Sequence, residues 1–445
     1  GGRMHLFTWV LLGLSVLCGA AVAVQHRWGG VRDGTPKGLG AQQKWYLAAY
    51  LCATSADWLQ GPYVYALYEA YGFSKHDIGT LFIAGFGSSA LFGTFAGSFA
   101  DRFGRKRSCL VYCLTYGVSC CTKHSSSFYW LLFGRVTGGV ATSILYSCFE
   151  AWLVADHTAN FASEWLPHTF SLATQANAMG AILAGWMGGF VRYYADSLVA
   201  PFDLAIVFLI ASGIIISLKW RENRGEAVDM LPLSAYDRDQ DELHVRREKG
   251  RMSVAMDAIR RDRKVVLIGL TQSLFEGSMY IFVFMWTPKL EADFDDLPHG
   301  QVFGCFMCCM MLGSVAAKML ALPPEAYLSI LFLASSACLT LPALGIGNGY
   351  VHVGCFFLFE ICVGAYWPSM SVVKSKYVPE EARATLYNLF RVPLNLIVVL
   401  VLVNLGKIPD DHVLLLCGSM LAAASLLARR LEVTLEAERG GFGSI

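Results

Sequence analysis

The chain has 445 residues, 55% hydrophobic and only 16% charged, with a mean hydropathy of +0.47. A soluble multidomain protein carries about 25% charged residues to cover its surface, and a disordered chain is poor in apolar ones, so both classes are excluded. The net charge of +1 balances 35 Lys and Arg against 34 Asp and Glu, which leaves no electrostatic footprint for nucleic acid.

An apolar run near 20 residues is long enough to cross a bilayer as a helix. Such runs lie at 4–24, 43–68, 79–100, 108–123, 127–153, 168–192 and 201–219, and resume at 264–287, 300–320, 325–346, 351–373, 383–405 and 411–430. The pattern predicts an all-α polytopic membrane protein with one N-terminal helix, six more, and a further six. The organisation is then an extra transmembrane helix and cytosolic linker over 1–42, a six-helix bundle over 43–219, a cytosolic linker over 220–263, a second six-helix bundle over 264–430, and a cytosolic tail over 431–445. Ala21-Val22-Ala23 has the form of a signal cleavage site. The segment after it carries Arg27, Arg32, Lys37 and Lys44 against Asp33, and positive segments stay in the cytosol, so an uncleaved span with an extracellular N-terminus is the preferred reading. The same rule places Arg102 to Arg107, the 219–264 segment, Lys374 with Lys376, and Arg429 with Arg430 in the cytosol, and the C-terminus with them.

In the linker, 251-RMSVAMDAIRRDRKV-265 sets Met252, Ala255, Met256 and Ile259 at helical spacing, which predicts an amphipathic helix on the membrane surface. The cysteines sit in apolar stretches and read as small buried hydrophobes. The string 305-CFMCC-309 has no second ligand pair at finger spacing, so no metal is expected. No G-x-x-x-x-G-K-S/T, H-E-x-x-H or G-x-S-x-G occurs, so neither an enzyme, an ATP-driven pump nor a cofactor is expected.

Between the third and fourth runs stands 97-GSFADRFGRKR-107. Gly97 permits close helix packing, Gly104 permits a positive φ, and Asp101 is placed to meet the positive end of a neighbouring helix. Arg102, Arg105 and Lys106 pin the loop in the cytosol, and Glu150, near the cytosolic end of core helix 4, is expected to bridge Arg102 or Arg105 as a gate. The motif resembles the loop between core helices 2 and 3 of the major facilitator superfamily, and Arg135 in 134-GRVTGG-139 resembles that superfamily's core-helix-4 motif. An internal echo accompanies them: 132-LFGRVTGG-139 is similar to 358-LFEICVGA-365, and 60-QGPYVY-65 to 276-EGSMYI-281. The second-half loop, 313-GSVAAKM-319, lacks the Asp and the arginines, so an asymmetric gate is expected. The strings 56-ADWLQGPYVYALYEAYGF-73, 145-LYSCFEAW-152, 164-EWLPHTF-170, 285-MWTP-288, 366-YWPSMS-371 and 388-NLFRVPL-394 resemble the eukaryotic molybdate-anion transporter family, over about residues 45 to 430. That resemblance implies high-affinity molybdate uptake across the plasma membrane, with tungstate and sulfate as competitors. The transporter class further implies alternating access by a monomer.

Molybdate is a tetrahedral dianion, and away from water it needs opposite charge and several donors. A charge inside a spanning helix costs about 2.5–3.5 kcal/mol on insertion scales, so each invites a functional reading. The intramembrane set is Asp57, Arg135, Glu150, Glu276, Glu360 and Arg391. Arg391 and Arg135 offer the planar donor fork that suits an oxyanion; Arg391 could equally serve as half of a structural ion pair, and for Arg135 a structural role in helix packing or proton coupling is the preferred reading. Asn388 shares a helix face with Arg391, and Gln60, Tyr63, Tyr65, Tyr280, Tyr366 and Ser369 are candidate neutral donors. Pro62 and Pro368 are expected to open their helices locally, and Pro393 to break its helix beside Arg391. Asp57, Glu276 and Glu360 are assigned to proton coupling or to charge balance. In the first case a proton neutralises a carboxylate and lets the anion approach Arg391; in the second the acids only offset the arginines. Two other functions stay open: carriage of a sugar or organic anion on the same fold, and a receptor that transports nothing.

Overall fold

The computed structural model describes residues 2–28, 36, 38–223, 253–320, 322–379 and 383–441. Among them there are helices and turns but no β-strand. In chain order they are α1 (Gly2–Trp28), α2 (Leu39–Gln60), α3 (Val64–Ala70), α4 (Lys75–Phe103), α5 (Arg105–Cys121), α6 (Phe128–Asn160), α7 (Leu166–Ala195), α8 (Ala200–Lys219), α9 (253–261), α10 (Arg263–Asp293), α11 (His299–Met319), α12 (Pro324–Ala343), α13 (Gly349–Tyr377), α14 (Arg383–Val403) and α15 (Asp410–Gly441).

Local chemistry explains several boundaries. Ser74 and Asp77 form a reciprocal capping box at the start of α4. Asp262 caps α10 through Lys264 N, and Asn348 caps α13 through Val351 N at 3.1 Å. Gly61-Pro62 opens a 3₁₀ turn over Gly61–Tyr63 that separates α2 from α3, as the proline predicted. Pro368 and Pro393, by contrast, lie inside α13 and α14, which continue through them. A proline removes only the ladder bond to the carbonyl four residues back, that of Leu389 for Pro393 and of Gly364 for Pro368, and the rest of each ladder carries the helix through. Ser273 Oγ donates to Phe390 O at 2.7 Å beside Pro393, and Ser369 Oγ to Ala365 O at 2.6 Å beside Pro368. The expected break beside Arg391 is therefore absent.

In the linker, α9 stops at 261, so the helix expected over 251–265 is interrupted where Asp262 caps α10. Ala255 is buried while Val254 and Met256 are exposed; Met252 lies outside the described residues. α15 runs on through 431–441 of the expected tail.

By length and composition, seven helices among the described residues can cross a membrane unaided: α6, α8, α10, α11, α12, α13 and α15. Shorter apolar stretches lie at Leu6–Ala21 and Leu389–Val403. The other helices are more polar because they bury hydrogen-bonding side chains, as α2 does with Thr54, Ser55 and Gln60.

The chain divides into two compact units. Unit 1 takes the described residues of Gly1–Ser15, Ala23–Met230 and Pro298–Met307; unit 2 takes those of Val16–Val22, Leu231–Leu297 and Cys308–Ile445. In unit 1 an aromatic stack of Tyr46, Trp152 and Trp220 joins α2, α6 and the end of α8, with the two indoles 3.9 Å apart. In unit 2, α11 and α13 approach so closely that a Cβ on Gly313 would lie 1.9 Å from Ile361 O, and one on Gly364 1.9 Å from Met310 O. Only glycine fits such a crossing.

Candidate functional site

The basic loop is a reciprocal cap. Gly104, at φ 102°, joins α4 to α5, and a Cβ there would fall 2.6 Å from the Glu222 carboxylate. That carboxylate accepts from the backbone of Lys106 at 2.9 Å and Arg107 at 3.2 Å, so it caps the positive end of α5. Lys106 Nζ in turn donates to Ser217 O at 2.9 Å and Trp220 O at 2.8 Å, closing the negative end of α8. Trp152 Nε1 donates to Arg221 O at 2.8 Å, and Asn223 Nδ2 to Trp152 O at 3.2 Å, tying the linker's first residues to α6. Two expectations change here. Asp101 does not meet a neighbouring helix end, because Glu222 occupies that role; it pairs with Arg105 at 2.8 Å, one turn along. Glu150 is exposed and makes no ion pair with Arg105, whose guanidinium is already held by Asp101. Gly97 lies in α4, and the Arg102 side chain is outside the description.

Within unit 1, Asp57 of α2 accepts hydrogen bonds from Tyr116 Oη of α5 and, at 3.4 Å, from Tyr146 Oη of α6. Arg135 of α6 is close enough for its charge to act on Asp57, but the two make no ion pair, and the carboxylate is spent on the tyrosines. Arg135 Nε donates to Leu81 O at 3.2 Å, and its guanidinium lies 4.6 Å over the Phe82 ring. Gly85 makes the room, since a Cβ there would sit 2.8 Å from the guanidinium. Gln60 is buried and donates back to Ala56 O at 3.1 Å, so its amide is used within its own helix. Tyr63 and Tyr65 are buried, and the Tyr63 ring packs 6.1 Å from His299.

Within unit 2, Tyr366 Oη of α13 donates to Glu276 Oε1 of α10 at 2.9 Å, and the Tyr366 ring stacks on Phe275 at 4.1 Å. Glu360 is 5% exposed, and its Oε2 has no hydrogen-bond partner. Ser369 is shared between Tyr327 Oη and Ala365 O, both at 2.6 Å, which is a packing role. Arg391 is exposed and forms no ion pair among the described residues; its charge reaches Tyr280 and Lys374. The Asn388 side chain lies outside the description.

Two lysines escaped the sequence reading. Lys374 read as a cytosolic marker, yet it lies in α13 with its ammonium 4.7 Å over the Tyr387 ring, beside Glu276 and Arg391. Lys123 read as the last residue of a span. It lies instead in a 3₁₀ turn, Thr122–His124, beyond the end of α5, 1% exposed. Burial pushes its ammonium down to about 7, and the positive charge of Arg135 acts in the same direction. A basic residue within a turn of a span end looks like a topology marker in sequence, whichever way its side chain turns.

Helices packed as two units, a glycine-pivoted basic loop and buried charges on facing helices define a multi-pass membrane transporter of the major facilitator fold. Among solved structures, a peptide transporter in complex with sulfate covers 92% of the chain and 96% of its own length at a TM-score of 0.69, with 13% identity, which speaks for the fold alone. A family profile described as sugar transporters with twelve transmembrane segments matches residues 6–356. A protein of Takifugu rubripes named molybdate-anion transporter is 35% identical over 385 residues, covering 82% of this chain and 79% of its own. One of the same name from Danio rerio is 35% identical over 422 residues, covering 86% and 85%. The chain belongs to the molybdate-anion transporter family of the major facilitator superfamily.

Proposed function

We propose that the protein is a secondary active transporter that carries molybdate into the cell across the plasma membrane by alternating access. The observation that carries this reading is that Arg135 in unit 1 and Arg391 in unit 2 make no ion pair among the described residues. A structural arginine in lipid is neutralised by a carboxylate; one kept unpaired is available to a dianion. Relatives of the same length class bear the name of the substrate. Tungstate shares molybdate's charge and shape and is expected to compete, with sulfate weaker. The N-terminus faces outward, the C-terminus lies in the cytosol, and the transporter works as a monomer.

Tyr280, which the Arg391 charge reaches, and Asn388, three residues before Arg391 in the sequence, are the first candidate neutral donors, and Gln60, Tyr63, Tyr65, Tyr366 and Ser369 are weaker candidates because their polar groups are buried or already engaged. The acids divide by their partners. Asp57 and Glu276 are each held by tyrosine hydroxyls, whereas Glu360 keeps a buried oxygen unpartnered. Glu360 is therefore the first candidate for carrying a coupled proton. Uptake insensitive both to a pH gradient and to a protonophore would remove proton coupling and leave the acids as charge balance.

The reading is tested by expressing the chain in cells that lack their own molybdate uptake and measuring molybdenum at limiting supply. Wild type accumulates molybdenum; Arg391→Ala abolishes accumulation with surface expression intact. Normal transport by Arg391→Ala would remove that residue from the site. A second reading, sugar carriage, is favoured by the description of the matching family profile. Competition separates the two: tungstate blocks an oxyanion carrier, and hexoses block a sugar carrier.

A further inference from the structure

α5 has 17 residues, so the turn at its far end lies about 25 Å along the helix from the basic loop. At that end two neighbouring residues of one sequence point to opposite fates. His124 is half-exposed and bonds Asp203 at 2.7 Å. Lys123 turns inward, and its Nζ is the one lysine or arginine nitrogen among the described buried side chains that lacks a hydrogen-bond partner. It lies 5.6 Å from the centre of the Tyr68 ring. Tyr68 is fully buried, its hydroxyl has no partner, and its ring meets Phe82 edge-on at 6.4 Å. Phe82 in turn lies under the guanidinium of Arg135. Two cations and one idle hydroxyl thus surround an aromatic pair, with no carboxylate among the described residues within ion-pair distance of either cation.

Such an arrangement opposes stability. A buried, unpartnered ammonium costs several kcal/mol, and a second like charge nearby adds to that. The turn is nevertheless built to keep it: Tyr71 Oη donates to the Lys123 carbonyl, Thr122 Oγ1 donates to Ser119 O at 2.7 Å, and a Cβ on Gly134 would fall 1.9 Å from Thr122 Oγ1 and 3.2 Å from Lys123 Nζ. Among the described residues the groups facing the ammonium are Tyr68 from α3, the Cys120 thiol from α5 and Arg135 from α6, while Tyr71, just after α3, holds the Lys123 carbonyl. None carries a negative charge at neutral pH. Asp57, the carboxylate whose charge Arg135 feels, is held by its tyrosines.

We propose that Lys123, Tyr68 and Arg135 form an anion site inside unit 1, at the end opposite the basic loop, that takes a tetrahedral oxyanion. It rests on the oxyanion reading of Arg135 above and adds two residues and a location to it. Arg135 is only half-buried, so the site is reached from its side. The anion accepts from the ammonium, the guanidinium and the phenol, and neutralises both cations at once. The ordinary alternative is that Lys123 is a packing residue that binds nothing.

The test uses purified full-length protein with tungstate as probe, by equilibrium dialysis in a chloride-free buffer and by anomalous scattering at a tungsten edge. Wild type should show tungsten between Lys123 and Arg135. Lys123→Met should lower tungstate affinity about tenfold or more, Tyr68→Phe should lower it less, and Lys123→Arg should retain it. Chloride that displaces tungstate as well as sulfate does would show a halide site and overturn the oxyanion assignment. Unchanged tungstate affinity in Lys123→Met, or tungsten seen only elsewhere, overturns the site. Should Lys123→Met not fold, the Tyr68→Phe and anomalous measurements decide alone. Molybdate uptake by the same preparations keeps the two readings apart. Uptake without tungsten at Lys123 defeats this site and leaves the transport reading intact; tungsten at Lys123 without uptake does the reverse.

Discussion

The two ends of unit 1 treat positive charge in opposite ways. At the basic loop the described charges are spent: Arg105 on Asp101, Lys106 on the carbonyls that end α8, and Arg107 within 3.8 Å of Glu222. At the other end His124 pairs with Asp203 and Arg192 with Asp196, while Lys123 and Arg135 pair with no acid among the described residues and face aromatic rings and one carbonyl. The first pattern is architecture, because each charge closes a helix end or a neighbouring turn and asks nothing of a ligand. The second carries an electrostatic debt, and a bound anion is the natural way to settle it. The same distinction runs through unit 2, where Glu276 is satisfied by Tyr366 but Arg391 is exposed and has no ion pair among the described residues.

Substitutions at the two ends sharpen this contrast. The largest effect is expected at Arg135: Arg135→Ala should reduce molybdate uptake about thirtyfold or more at unchanged surface expression. Uptake within about threefold of wild type would make Arg135 architectural like Arg105. Next comes pH. Lys123 is charged below about 7 and neutral above it, so tungstate affinity should fall as pH rises from 6 to 8, while tungstate itself stays a dianion. A bound anion favours the ammonium and displaces the fall upward, and Lys123→Arg should flatten the profile. A wild-type profile as flat as that of Lys123→Arg would contradict the assignment.

The basic loop should respond in stability rather than affinity. Gly104→Ala sets a side chain at φ 102° against the Glu222 carboxylate and should cost about 2 kcal/mol or more, read as a lower melting temperature in detergent. Glu222→Ala removes the α5 cap and should cost about 1 kcal/mol, with tungstate affinity unchanged. Asp101→Asn should be smallest, below about 1 kcal/mol, because that pair is partly solvated. A loop variant that lowered tungstate affinity while keeping its melting temperature would erase the division between the two ends.

The fold was legible in sequence because apolar length and the loop motif act residue by residue. The glycine at the pivot of 97-GSFADRFGRKR-107 was legible for the same reason, since a positive φ narrows the choice of residue. Partners were not. Glu222 comes from the linker, 118 positions beyond Gly104, and nothing local marks it as the cap that takes the role expected of Asp101 and frees Asp101 to hold Arg105. Pro393 looked like a helix break because the missing ladder bond is visible in sequence, whereas the packing that holds α14 through it is not. Lys123 and Lys374 were hidden by position, since sequence shows that a lysine is near a span end but not that its side chain turns inward. The intramembrane arginines could be found in sequence; whether each is paired could be read only from the structure.

The most direct test of oxyanion transport is uptake of radiolabelled molybdate by proteoliposomes holding the purified protein. Saturable uptake, blocked by tungstate, indifferent to hexoses and lost in Arg391→Ala, is the predicted result. Uptake of a labelled hexose in place of molybdate, or molybdate uptake unaffected by Arg391→Ala and Arg135→Ala alike, would contradict it.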